Sequence, residues 1–197
     1  MILWENVAYM VDDERRAQAF QALKKRVGLK PKQILEAPDY VLLEVATLGG
    51  MLPEQRVEKL RFIAALVLTE FAGDLRSVLK LPLPKAKKAL KKFPGIGDPG
   101  AEKILLFAGV EPVLALESNG LRALLRLGFG QEQKNYSASY RSAQQAVQGQ
   151  APADCAGLTR AHQLLRQHGQ ELCRRSQPLC EQCPLKALCA YYRETRR

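Results

Sequence analysis

The chain has 197 residues, 47% of them hydrophobic, with 30 Lys and Arg against 20 Asp and Glu and a net charge of +10. This is enough apolar material to bury a core, in one domain or two small joined ones. No apolar run reaches the ~20 residues of a membrane span, and "MILWENVAYMVDDERR" lacks a basic n-region and meets Glu5 early, so it does not read as a signal peptide.

An intracellular location is therefore expected, and there five cysteines do not read as a disulfide framework. The positive charge points to an anionic partner, nucleic acid before a membrane surface, although many small basic proteins bind neither.

In chain order, "ILWENVAYMV" predicts a first helix with Leu3, Val7 and Met10 on one face. Asp12 or Asp13 caps a second, with Ala17, Phe20, Leu23 and Val27 at helical spacing. "KPKQILEA" and "PDYVLLEVATLGG" read as short helices, with Pro31 and Pro38 in first-turn positions and Gly49 and Gly50 as the stop. "PEQRVEKLRFIAALVLTEFAGD" is the longest, with a stripe from Val57 through Leu60, Ala64 and Val67 to Phe71, and Gly73 at its end. "LRSVLKL" and an amphipathic run from Leu81 to Phe93 follow. The latter carries Lys85, Lys87, Lys88, Lys91 and Lys92 toward its outer side.

Pro94 ends that run, and "PGIGDPG" makes the turn. Gly95 and Gly97 permit positive φ and close backbone approach. Ile96 is placed to plug down between the helices, Asp98 to cap the next one, and Pro99 to occupy its first position. A helix from Gly100 to Phe107 then begins with amides that have no helical partner, an anion site beside lysines, for which the natural anion is a nucleic-acid phosphate. The alternative is an ordinary tight turn between packed helices. "SNGLRALLRLG", "YSASYRSAQQAVQG" and "DCAGLTRAHQLLRQHGQELC" complete the helices. No segment alternates like a strand, so the fold class is all-α. Composition turns polar near Gly130, where a subdomain boundary or a more exposed layer is expected.

The final feature is "CRRSQPLCEQCPLKALC", with Cys173, Cys180, Cys183 and Cys189 spaced C-x6-C-x2-C-x5-C. Four thiols this close in an intracellular chain point to a metal site. The spacing leaves a tetrahedral zinc and a cubane iron–sulfur cluster both open, and its single C-x2-C favours the cluster. Cys155 stands apart and reads as a small buried hydrophobe.

Taken together, these motifs resemble the helix-hairpin-helix DNA glycosylase superfamily, in particular its endonuclease III branch, over nearly the whole chain. "LGGMLPEQRVEKL" looks like the family's Gly-hydrophobic stretch leading into a helix. "FPGIGDPGA" resembles its Leu-Pro-Gly-Val-Gly-x-Lys-Thr-Ala hairpin, and "PVLALESNGLRALLRLG" the segment ending Val-Asp-Thr-His-x-x-Arg-Val. "RAHQLLRQHGQELCRRSQPLCEQCPLKALC" looks like its His-Gly helix and four-cysteine loop. No counterpart of the family's extra N-terminal helix is expected in this sequence.

The resemblance implies a six-helix barrel domain with a helix-hairpin-helix motif over residues 1–130 and a helical cluster domain over 131–197. It implies a [4Fe–4S] cluster on Cys173, Cys180, Cys183 and Cys189. The activity implied is excision of a base flipped into the cleft between the domains. The expected partner is double-stranded DNA with a damaged, mismatched or abasic site. A monomer is expected, in the cytoplasm and nucleoid-associated in a bacterium.

DNA contacts are expected from Gly95, Ile96, Gly97, Pro99, Gly100 and Lys103, and from Arg174 and Arg175 in the cysteine loop. Bifunctional members use a hairpin lysine as nucleophile on the sugar C1′, and that position here is Pro99. Lys103, one turn deeper, is a displaced amine or a phosphate contact. The family's catalytic aspartate matches Glu117, whose extra methylene moves the carboxylate by about 1 Å, a displacement that can cost about a hundredfold in rate. The other reading of Glu117 is a helix-start acid beside Ser118.

Three activities follow: a monofunctional glycosylase using Glu117 and water, a non-cutting module that binds lesions or altered DNA structures, and a lyase using Lys103 or another amine. Met10 to Asp13 fall where the family places residues that enter the base stack. Arg122 matches an arginine after the catalytic acid, and Asn119 a position held by histidine or asparagine. His162 and His168 read as packing or capping residues.

Overall fold

In a computed structural model, which describes residues 1–195, the chain is all-α. The helices are α1 (Ile2–Asn6), α2 (Asp13–Arg26), α3 (Pro31–Glu36), α4 (Asp39–Leu48), α5 (Pro53–Phe71), α6 (Leu83–Leu90), α7 (Asp98–Phe107), α8 (Ser118–Leu127), α9 (Tyr136–Val147), α10 (Cys155–Glu171) and α11 (Ala190–Thr195). Short 3-10 turns lie at Leu75–Lys80, Cys180–Gln182 and Lys186–Leu188. Among the described residues the pairing of Tyr9 with Gly50 is an isolated bridge, no strand forms, and no helix is long and apolar enough to cross a membrane.

The chain packs into two units, Met1–Ala101 and Glu102–Arg197, divided inside α7. The boundary expected near residue 130 falls within the second unit, and residues 196–197 of the expected 131–197 domain lie outside the described residues. The polar composition after Gly130 belongs to an amphipathic helix. α9 buries Ser139, Tyr140, Ala143 and Val147 and turns Arg141 and Gln145 outward, while Gln144 donates to Glu102 and to the Leu114 carbonyl.

In the first unit, Val7, Leu23, Ile34, Leu42, Val45 and Leu60 form the centre of the core. α5 packs on α3 and α4, and α2 on α4. Asp12 caps α2, accepting the Arg15 N–H at 2.7 Å, and Pro31 opens α3. Pro38 stands at the N-cap of α4, one position ahead of the helix. The expected first helix ends at Asn6. Val7 is still fully buried, but Met10 leaves the shared face and is 72% exposed with φ +54°, because the chain there turns to meet Gly49 and Gly50. Arg56 is buried in α5 and donates to the carbonyls of Ala46 at 2.5 Å and Gly50 at 2.6 Å, closing the loop after α4.

In the second unit, Leu106, Leu116, Leu121, Leu124, Tyr140 and Leu158 are among the core residues. α8 and α10 form its most extensive helix pair. Gly169 makes their close approach possible, since a Cβ there would lie 2.4 Å from the Asn119 carbonyl oxygen. This contact fixes the start of α8, where Glu117 stands.

Candidate functional site

The hairpin belongs to the first unit and is anchored from below. Phe93 is buried and stacks on Phe71 at 5.7 Å, and Asn6 Nδ2 donates to the Pro94 carbonyl at 2.9 Å. Gly95 takes φ +72°, whereas Gly97 keeps negative φ. Ile96 is buried as the plug that the sequence predicts, a placement worth about 1.5–3 kcal/mol for a fully covered side chain. The Gly97 carbonyl accepts the Ala101 N–H at 2.9 Å, so Gly97 holds the N-cap position of α7.

Two expectations are corrected there. Asp98 begins the helix instead of capping it, and its carboxylate takes Lys91 Nζ at 2.7 Å, while Pro99 sits at the second helical position. The lysine side of the hairpin is also partly paired, Lys91 with Asp98 and Lys92 with Glu70. Lys85 and Lys88 are exposed. A Cβ on Gly100 would touch Ile96 Cγ2 at 3.4 Å, so the turn and its plug fit closely.

The remaining candidates lie in the second unit. Glu117 is the N-cap of α8, half-buried, with Oε1 accepting the Gly120 N–H at 2.6 Å and Oε2 accepting Asn119 Nδ2 at 2.9 Å. Asn119 Oδ1 in turn accepts from Arg122 Nη2 at 2.8 Å. Arg122 also donates to the Gly169 carbonyl at 2.7 Å and, from Nε, to the Cys173 carbonyl at 2.9 Å. A continuous hydrogen-bonded path thus joins the Glu117 carboxylate to the backbone of the first cysteine of the loop. Burial lowers the Arg122 pKa from its ordinary value, with the charge of Cys173 opposing that shift.

Around Glu117 stand an aromatic and an imidazole that the sequence did not assign to it. Tyr136 donates its hydroxyl to the Leu116 carbonyl at 3.2 Å, and its pKa is pushed up to about 12 by burial and, second, by the negative charge of Glu117. His162 is buried, with Nδ1 2.6 Å from the Ala115 carbonyl and its ring edge-on to Phe107 at 5.2 Å. Burial draws its pKa down; the Ala115 hydrogen bond and Glu117 oppose this, while Lys103 and Arg166 add to it. Lys103, half-buried in α7, and Glu117 therefore both act on one imidazole. His162 is a packing residue, as its sequence position suggests.

The four cysteines line one cavity. They share it with Ala123, Arg126 and Leu127 of α8, His168 and Leu172 near the end of α10, and Tyr191 of α11. His168 Nε2 lies 3.8 Å from Cys183 Sγ, Arg126 Nη1 3.6 Å from Cys173 Sγ, and Cys189 Sγ 3.2 Å from the Arg126 carbonyl. Burial, followed by the charges of Cys173 and Cys189, pushes the Cys180 thiol up, against the pull of Arg126. Among the described residues, no group of three His, Cys, Asp or Glu side chains is arranged to hold a metal ion. Cys155 packs against the core of the unit. Arg174 and Arg175 are exposed, with their carbonyls taken by Arg126 at 2.7 and 3.2 Å.

No family model matches the chain. The endonuclease III of Sulfolobus acidocaldarius is 25% identical over 181 residues, spanning 91% of this chain and 76% of that protein. The thymine/uracil-DNA glycosylase of Methanothermobacter thermautotrophicus is 24% identical over 163 residues, 82% of this chain and 67% of that one. A solved structure of a trapped endonuclease III–DNA covalent intermediate superposes with a TM-score of 0.76 at 18% identity, covering 100% of this chain and 84% of that one. The structural likeness shows that the fold is shared.

Proposed function

Because the chain belongs to the endonuclease III-like branch of the helix-hairpin-helix DNA glycosylase superfamily, we propose that it removes a damaged or mismatched base from double-stranded DNA by hydrolysing the N-glycosidic bond, leaving the strand uncut. The observation that carries this reading is the pairing of an oriented carboxylate at Glu117 with a proline, Pro99, where a bifunctional relative carries its nucleophilic lysine.

The chemistry asked of the chain is limited. As the base departs with the electrons of the C1′–N bond, positive charge develops on the sugar, and a fixed carboxylate nearby offsets it. Glu117 is suited to this because both of its oxygens are held, by Gly120 N–H and Asn119 Nδ2, while each keeps a lone pair for a water or the sugar. The attacking water yields its proton to the carboxylate, C1′ gains a hydroxyl, and the departed base takes up a proton from solvent, to which the carboxylate returns its own. No amine enters the bond-breaking sequence, so no Schiff base forms and the backbone stays intact.

The hairpin supplies the grip. Gly95, Ile96, Gly97, Pro99 and Gly100 bring the start of α7 to a phosphate, positioning the duplex without reading sequence. Lys103, Arg174 and Arg175 add phosphate contacts.

Cys173, Cys180, Cys183 and Cys189, which line one cavity, would hold a [4Fe–4S] cluster through their four thiolates. When bound, the cluster would supply a rigid four-point cross-link for the loop carrying Arg174 and Arg175. Brown protein with bound iron is expected, and colourless protein with one zinc would overturn this assignment.

The function is tested by incubating the protein with duplexes that carry single damaged or mismatched bases and measuring free base. Release from at least one duplex is the expected result. Tight binding to abasic or branched DNA with no release from any duplex would replace the enzyme with a binding module.

A further inference from the structure

We infer that Arg126 is a positioning residue for the metal group of the cysteine cavity. Its guanidinium joins the Cys173 sulfur to the backbone of Arg174 and Arg175, so that one metal ligand and the basic loop beside it are held as a single piece. The inference rests on the proposal that the four cysteines hold an iron–sulfur cluster.

Nη1 lies 3.6 Å from Cys173 Sγ and 2.7 Å from the Arg174 carbonyl, while Nη2 lies 3.2 Å from the Arg175 carbonyl. The guanidinium sits over the Tyr191 ring, 4.5 Å from its centroid, where a cation is held electrostatically by the ring face. Tyr191 is in α11, which follows Cys189, and Cys189 Sγ lies 3.2 Å from the carbonyl of Arg126 itself. A single residue of α8 therefore touches both ends of the cysteine loop.

The helix explains its placement. Arg126 stands in the last turn of α8, where a cation offsets the negative end of the helix dipole, and Gly128 with φ +102° caps the helix two residues on. An ammonium could not substitute. One sulfur and two carbonyls at separate positions need donors spread over a planar fork, whereas the three donors of lysine all radiate from one nitrogen.

The electronic consequence follows. An N–H donor and a fixed positive charge at a thiolate ligand stabilise the more negative, reduced state of a cluster, and so raise its reduction potential. The mechanical consequence is that Cys173 is restrained from outside the cysteine loop, which slows loss of iron.

Two variants of the full chain separate these effects. Arg126→Met keeps an apolar stem on Tyr191 but removes the charge and the donors. Arg126→Lys keeps the charge but not the fork. The measurements are iron content, reduction potential, and the rate of iron loss to a chelator. Arg126→Met is expected to shift the potential to a more negative value and to lose iron several-fold faster than the wild type. Arg126→Lys is expected to stay near the wild-type potential and still lose iron faster. If both variants match the wild type in potential and in iron loss, the inference is wrong. Should Arg126→Met purify without iron, Arg126→Lys decides: faster loss supports the role of the fork, and an unchanged rate overturns it. A wild-type protein without iron overturns the cluster assignment, and this inference with it.

Discussion

Glu117 accepts the Gly120 N–H on one oxygen and the Asn119 amide on the other, and Asn119 is itself fixed by Arg122. Replacing Glu117 with Gln keeps the size but places an NH2 group against the Asn119 NH2. If Asn119 flips to accept, its NH2 then faces Arg122. Base release by Glu117→Gln is expected to fall by about a hundredfold or more, from the lost charge and the broken path, as measured in single-turnover assays. Glu117→Asp, which retains a carboxylate, keeps measurable release.

His162 makes a different prediction. Burial holds its folded-state pKa below the ordinary 6.5, so its contribution to stability is whole above pH 6.5 and is lost as the pH falls from there toward the folded value. Chemical denaturation between pH 7 and pH 5 is expected to show this loss, and His162→Asn, which preserves a donor to Ala115, to weaken the dependence. At this scale the sequence was informative about residue identity and silent about partners. Glu117 and Arg122 were legible from their motif, but the bond from Arg122 to the Cys173 carbonyl spans 51 positions, and no local pattern encodes it.

Helices and turns were the most legible layer, because capping and periodicity are local. The Asp12 cap, Pro31 at the start of α3 and the buried Ile96 all follow from spacing. The misplacements lie at helix ends, where one residue decides: Gly97 takes the cap expected of Asp98, and Met10 leaves the helix face once α1 stops at Asn6. Arg56 is invisible to a periodicity reading, since arginine seldom lies inside, yet it holds the loop after α4 through two carbonyls.

The α8–α10 contact gives the prediction proper to this scale. A Cβ at Gly169 would meet the Asn119 carbonyl oxygen at 2.4 Å, and backbone cannot swing aside as a side chain can. Gly169→Ala is expected to destabilise the protein by about 1–3 kcal/mol in denaturant unfolding. Base release falls with it, because α8 carries Glu117.

For the whole molecule, the net charge of +10 was read directly from the sequence as a sign of an anionic partner. The division of the chain at residue 101 was not readable, because it falls inside a continuous helix that composition does not mark. If phosphates dominate affinity, binding to duplex DNA weakens linearly in log–log form as salt rises. Arg174→Gln and Arg175→Gln are each expected to reduce the magnitude of that slope by about 1. Lys91→Gln changes it less, since Lys91 is already paired with Asp98 at 2.7 Å.

The central claim is hydrolysis at Glu117 without an amine nucleophile. The measurement that tests it most directly is single-turnover cleavage of a released-base substrate by wild type and Glu117→Gln, with borohydride added in a parallel series. The account predicts free base from the wild type, an intact strand, little release from the variant and no protein–DNA adduct. An adduct trapped by borohydride, or release unaffected by Glu117→Gln, would contradict it.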